Sequence, residues 1–278
     1  MTRRLKLMTG LSTLAAASAL ALTGCGGEGE GEGAEGEVDL ASPIAGEAEG
    51  EGLGAEGEGE GGEGESEGAS ASGDPATDDV AYLKLLGLVR GHLIAFYELY
   101  QSGSKDMARM HVKHPESELY SDIAPAFGAR GQSGFADELT ALANAATAGG
   151  DVEAEYSAAV EAINAHAPAT NPAVVLLSVS EIIRVAADEF DIGVEDDGAI
   201  SNAHEYQDAY GFLVASRDMI AGIDTNDVNA SDAINLAHEQ IELALASFDG
   251  LTAETTEGRS STLYGAAARI ELAARGLM

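Results

Sequence analysis

From residue 80 onward, apolar residues recur at three- and four-residue spacing, the pattern of helices that bury one face. Val80, Leu83, Leu86, Val89, Leu93 and Phe96 form the first such stripe, which stops near Gly103. A short helix is expected over Lys105 to Val112, and Pro115 suits the first turn of the next. That next helix carries Leu119, Ile123 and Phe127, with Pro125 bending or ending it. Phe135 to Ala148 is rich in Ala and Leu and halts at Gly149-Gly150, and Asp151 reads as the cap of Val152 to His166. Asn171-Pro172 supplies a cap and a first-turn proline for Ala173 to Phe190. Asp197-Gly198 marks a turn, and Ser201 is placed to cap a helix running to about Ile220. Asp224 to Asp227 offers further caps before the amphipathic Ile234 to Phe248, and Thr262 to Leu277 closes the chain. No alternating β-branched run competes with these segments. The expectation is an all-α antiparallel bundle of seven to nine helices, built as one bundle or as two stacked four-helix bundles.

The first 75 residues follow other rules. Arg3, Arg4 and Lys6 precede an apolar, small-residue run from Leu7 to Leu22, a basic n-region and h-region too short and too rich in Ala, Ser and Thr to span a bilayer. The run ends in Leu22-Thr23-Gly24-Cys25, which resembles the bacterial lipobox. That resemblance implies cleavage after residue 24 and acylation of Cys25, and Gly26 in the following position implies the outer membrane. The lipobox reading also accounts for the sole cysteine of an exported chain, which would otherwise be an unpaired thiol. Residues 25–75 are GEGEGEG-type low complexity without Lys, Arg or aromatic residues, and nothing there can form a core. This stretch is expected to be a disordered acidic tether, or a weak and unselective collector of cations. Residues 76–278 then form the helical domain, exported and held to the periplasmic face of the membrane by lipid.

Charge narrows the partners. The chain has 14 basic and 48 acidic residues, a formal −34, and loss of the leader's three bases leaves 11 against 48, or −37. Nucleic acids and anionic membrane surfaces recruit Lys and Arg, so neither is an expected partner. With no Trp and 5% aromatic residues, stacking platforms for bases or sugars are not expected either.

Candidate chemistry concentrates between Gly91 and Tyr120, which holds His92, His111 and His114 together with Glu98, Glu116 and Glu118. His111 and His114 sit one helical turn apart and can face one ion, and Glu118 follows after Pro115. His92 can join across a helical hairpin, but His92 and Glu98 are six apart and do not share a helix face. A second acidic group flanks Asp197: Glu181 and Asp188 seven apart, Glu189 and Asp191 at a helix end, and His204 four before Asp208 with Glu205 beside it. Imidazoles with carboxylates inside a bundle are ligands for iron, manganese or zinc. The same residues also admit a buried hydrogen-bond network with no ion. His166 and His238 read as structural. No nucleophile elbow, P-loop, dinucleotide pattern or HExxH motif occurs, so no enzyme is expected.

Two stretches resemble bacterial metal-uptake proteins. Ile182 to Phe212 looks like a helix–turn–helix of the extracytoplasmic N-terminal region of Ftr-type iron permeases, through an acid–aromatic helix end, an acidic-Gly turn and Asn-x-x-Glu-Tyr at Asn202 to Tyr206. The lipid-anchored all-α layout is similar to imelysin-like iron-regulated envelope proteins, although Gly91 and His92 are adjacent and Ala95 stands where their Gly-x-His-x-x-Glu motif has Glu. The resemblance implies periplasmic metal handling, and together with the histidine-rich stretch it leads to the expectation of a non-catalytic, lipid-anchored protein that captures or relays a transition metal, iron first and zinc or copper next, with an envelope transport protein as partner. His92, Glu98, His111, His114 and Glu118 are the expected ligand pool, with His204 and Glu205 as a further contribution. The rival expectation is a helical module that docks an envelope protein, its histidines structural and Ile234 to Phe248 serving as core or as partner face.

Overall fold

Short polar side chains start the long helices. In the computed structural model, which describes residues 73–115 and 119–278, Asp78 accepts hydrogen bonds from the Val80 and Ala81 amides and opens α1 (Asp79–Ser102). Gly103, in the left-handed region at φ 92°, ends it by donating to the Leu99 and Tyr100 carbonyls. The leader, Cys25 and the Gly/Glu tract up to residue 72 lie outside the described residues, as do Glu116, Glu118 and the side chain of His114.

Eight more helices follow among the described residues: α2 (Lys105–His114), α3 (Tyr120–Ala129), α4 (Ala136–Ala148), α5 (Glu153–His166), α6 (Pro172–Gly193), α7 (Ala203–Ala221), α8 (Val228–Leu245) and α9 (Ser260–Arg275). The all-α expectation holds, with no strand among the described residues. Details of the termini differ. Pro115 sits at the C-terminal end of α2 in helical conformation, and α3 runs past Pro125 to Ala129. Val152 rather than Asp151 holds the cap position of α5, and Asn202 rather than Ser201 caps α7, accepting from the His204 amide at 3.2 Å. α8 starts at Val228, capped by Asp227, six residues before Ile234. Its first turns bury Ala230 and Ala233, side chains too small to announce an apolar stripe.

α6 packs against α7, α9 and α1; α1 packs against α7 and α2; α8 covers α9 and α7; and α4 pairs with α5 and touches α2. One core cluster draws residues from all nine helices, which favours a single continuous bundle over two stacked ones. Phe96, Phe190 and Phe212 are sealed within it, each contributing ~1.5–3 kcal/mol by burial. α1 is long and apolar enough to cross a membrane, yet 83% of its apolar window is buried inside the protein, the position of a core helix. The Ile234 to Phe248 segment likewise turns Ala237, Ile241 and Ala244 into the core.

Two glycines fix how closely α1 and α7 cross. A Cβ on Gly211 would lie 2.2 Å from the Gly91 carbonyl oxygen, and one on Gly91 would lie 2.4 Å from Phe212 Cδ1. Neither position tolerates a side chain without separating the helices. At the N-terminal end of α7, the α6–α7 turn pairs with the α8–α9 loop: Ile200 donates to the Glu254 carbonyl at 2.9 Å and Thr256 to the Gly198 carbonyl at 2.8 Å.

A candidate metal centre around Asp208

The close crossing of α1 and α7 places His92, next to Gly91, against Asp208, one helical turn before Gly211. Asp208 is fully buried, and its Oδ1 lies 2.6 Å from His92 Nδ1 and 2.8 Å from His111 Nδ1. Both imidazoles are fully buried too. The other oxygen, Oδ2, faces His204 Nδ1 at 3.5 Å and accepts no hydrogen bond among the described residues. His204 Nδ1 also lies 3.6 Å from Glu205 Oε1. Three helices thus converge: His92 from α1, His111 from α2, and His204, Glu205 and Asp208 from the first turns of α7, where the helix N-terminus favours negative charge. Glu189, 3% exposed on α6, hydrogen-bonds Glu205.

Gln207 sets the orientation of His111. Its Nε2 donates to the Leu251 carbonyl at 2.8 Å, which identifies the amide nitrogen, so its Oε1 must be the partner of His111 Nε2 at 2.8 Å. His111 therefore donates from Nε2, and in a neutral ring the lone pair falls on Nδ1, which points at the Asp208 carboxylate. A lone pair facing a carboxylate is repulsive. A cation must lie between them, either a second proton on the ring or a metal ion. Outer partners of this kind, which hold the distal N–H of an imidazole, are usual behind metal-ligating histidines.

Electrostatics keep the carboxylates ionised. Burial pushes the Asp208 carboxyl up, but the charge and hydrogen bonds of His92 and His111 together outweigh it and hold it far below the ordinary range. Burial also raises Glu205, and its contacts with His204 and Glu189 reverse the sign, leaving it lowered. For His204, burial lowers the imidazole, while the neighbouring Glu205 and Asp208 carboxylates more than offset this and leave it raised.

Two groups here have the composition and spacing to hold a metal ion: His92, His111 and Asp208, and His204, Glu205 and Asp208. The sequence-expected His92, His111, His204 and Glu205 come together, merging what read as two separate pools. Glu98 does not join them. It is exposed, because a regular α1 turns it away from the face that buries His92. Glu118 and the His114 side chain lie outside the described residues. The residue missing from the expected ligand pool is Asp208, the hub. Its signal in the sequence was the four-residue spacing from His204, present but set among many other acids. Of those acids, Glu181 pairs with Arg184 at 3.3 Å, Asp188 accepts from Tyr264 and Asp191 accepts from Ser260, all away from the cluster. His166 donates to the Ala162 carbonyl at 2.7 Å among Phe127 and Phe135, and His238 is exposed, both without a place in the centre. A cavity of about 520 Å³ is lined by residues that include Leu83, Arg90, Asn164 and Asp218 and by none of the cluster residues.

No family model, curated protein or solved structure matches this chain.

Proposed function

We propose that this protein binds a divalent transition metal at the Asp208 cluster and serves to capture or relay it in the cell envelope. The observation that carries the reading is His111: with Nε2–H committed to Gln207, its Nδ1 and the Asp208 carboxylate converge on a position that a proton fills at the observed 2.8 Å and a metal ion fills once the pair opens by a few tenths of an ångström or more. Burying three imidazoles and a carboxylate is expensive for a domain whose fold does not need them, and apolar residues of similar volume would be equally or more stable. An ion-binding role accounts for their presence. The donors are nitrogen and oxygen with no thiolate, a set suited to iron, zinc and copper(II). His92, His111 and Asp208 have the two-histidine, one-carboxylate composition that favours iron(II), which places iron first. The lipobox-like Cys25 and acidic tether support an anchored protein that concentrates cations near itself at low ionic strength.

Thermal melting of the full chain, first with chelator and then with Fe(II) under anaerobic conditions, Zn(II) or Cu(II), tests the proposal. A native site gives a saturable rise in Tm, with about 2.7 kcal/mol of added stability at a hundredfold excess over Kd. His111→Ala removes that rise. If no metal shifts the melt, the cluster is a hydrogen-bonded core element and the protein is better sought as a partner-docking module.

A further inference from the structure

The stacking of His111 on His204 has a consequence for how many ions the cluster holds. The two rings lie with centroids 4.3 Å apart and planes 15° apart. An imidazole lone pair lies in the plane of its ring, so a metal must lie close to that plane. Two nearly parallel, stacked planes do not meet near the cluster, and no single ion can be ligated in-plane by both histidines. Each ring nevertheless directs Nδ1 at Asp208, and at a different oxygen: His111 at Oδ1, 2.8 Å away, and His204 at Oδ2, 3.5 Å away. We propose that the centre is dinuclear, with one ion held by His92, His111 and Asp208 Oδ1, a second held by His204, Glu205 and Asp208 Oδ2, and the Asp208 carboxylate bridging them.

Distances support the division. Ligands about 2.1 Å from a tetrahedral ion are about 3.4 Å from one another, and about 3.0 Å apart at the right angles of an octahedron. His204 Nδ1 lies 3.5 Å from Asp208 Oδ2 and 3.6 Å from Glu205 Oε1, at metal-ligand spacing, and Oδ2 accepts no hydrogen bond among the described residues. The first group is closed to 2.6 and 2.8 Å and has to open by a few tenths of an ångström or more to admit its ion. Paired ions in such sites sit about 3.5–4 Å apart, somewhat less than the 4.3 Å between the stacked ring centroids. Glu189, whose carboxyl group meets that of Glu205, stands beside the second group as a further oxygen donor.

This inference rests on the metal reading above, and the test separates the two. The full chain is loaded with Co(II), passed over a desalting column in the presence of a weak chelator to strip the Gly/Glu tract, and assayed for retained cobalt and for its EPR spectrum. Two retained ions per chain with a spin-coupled spectrum are expected. His92→Ala and His204→Ala should each lose about half of the cobalt and leave an uncoupled signal, with helical circular dichroism checked for each. The wild-type stoichiometry and coupling stand without either variant. One ion per chain, lost alike in both variants, overturns the pair and leaves the single-ion reading intact. Two ions with no coupling overturn the Asp208 bridge. No retained cobalt overturns both proposals.

Discussion

Gly91 and Gly211 meet backbone to backbone where α1 crosses α7, with the Gly91 carbonyl oxygen 2.2 Å from where a Cβ on Gly211 would stand. This approach brings His92 Nδ1 within 2.6 Å of Asp208. Gly211→Ala should therefore act against its helix propensity. In an open helix position the change stabilises by about 0.5–1 kcal/mol, whereas here overpacking should destabilise by about 1–3 kcal/mol. Urea denaturation with chelator measures the sign. The same variant should bind metal more weakly, because the helices that carry His92 and Asp208 are forced apart.

Gln207 touches no proposed ligand position on an ion and yet governs one. Gln207→Leu should lower metal affinity by about 10–100-fold, the usual effect of losing an outer partner of a ligating histidine. A competition titration against a chromogenic chelator reads this directly. Affinity equal to wild type would show that His111 is not held for metal by the Gln207–Leu251 link.

Glu98 and His111 belong to one expected ligand pool, yet Glu98 is exposed and His111 is buried. Glu98→Gln should leave metal retention and Tm unchanged, since the side chain is exposed. His111→Ala should abolish most of the metal-induced shift. Equal losses in both would place the centre elsewhere.

The cluster's protonation gives a pH profile with two arms. Asp208 and Glu205 are lowered from ordinary values of 3.8 and 4.5, so their contribution is complete above those values and is lost as pH falls through the lowered folded ones. His204 is raised from 6.5, so its contribution is complete below that value and is lost as pH rises through the raised one. Metal-free protein should draw most from the cluster between about pH 4.5 and 6.5. Metal works in the other direction, because ligation displaces imidazole protons, and the metal-induced gain should grow above about pH 6.5. Urea midpoints across pH, with and without Zn(II), should nearly coincide at low pH and diverge above about pH 6.5.

The helices were legible because their information is local: Asn171-Pro172 is a cap and first-turn proline by residue type, and Gly103 and Gly149 are stops. The start of α8 was not, because Ala230 and Ala233 carry little hydrophobic contrast. His92 and His111 stood out as rare residues close together. Asp208 did not, being one acid among 48 in an acidic chain. What singles it out is burial, and burial follows from a crossing set by Gly91 and Gly211, more than a hundred positions apart. Periodicity also could not merge the two candidate pools, since each gave only its own helix face and not which faces would meet.

The hub's partners lie far away along the chain: His92 is 116 residues from Asp208 and His111 is 97. Contacts of such separation are among the last to form, because loop closure over long stretches of chain must come first. An unfinished chain offers only scattered histidines and loose acids, which grip an ion weakly. On the proposed metal reading, tight loading would certify completed folding: the ion would be held only once α1, α2 and α7 have docked, and misassembled copies would stay empty.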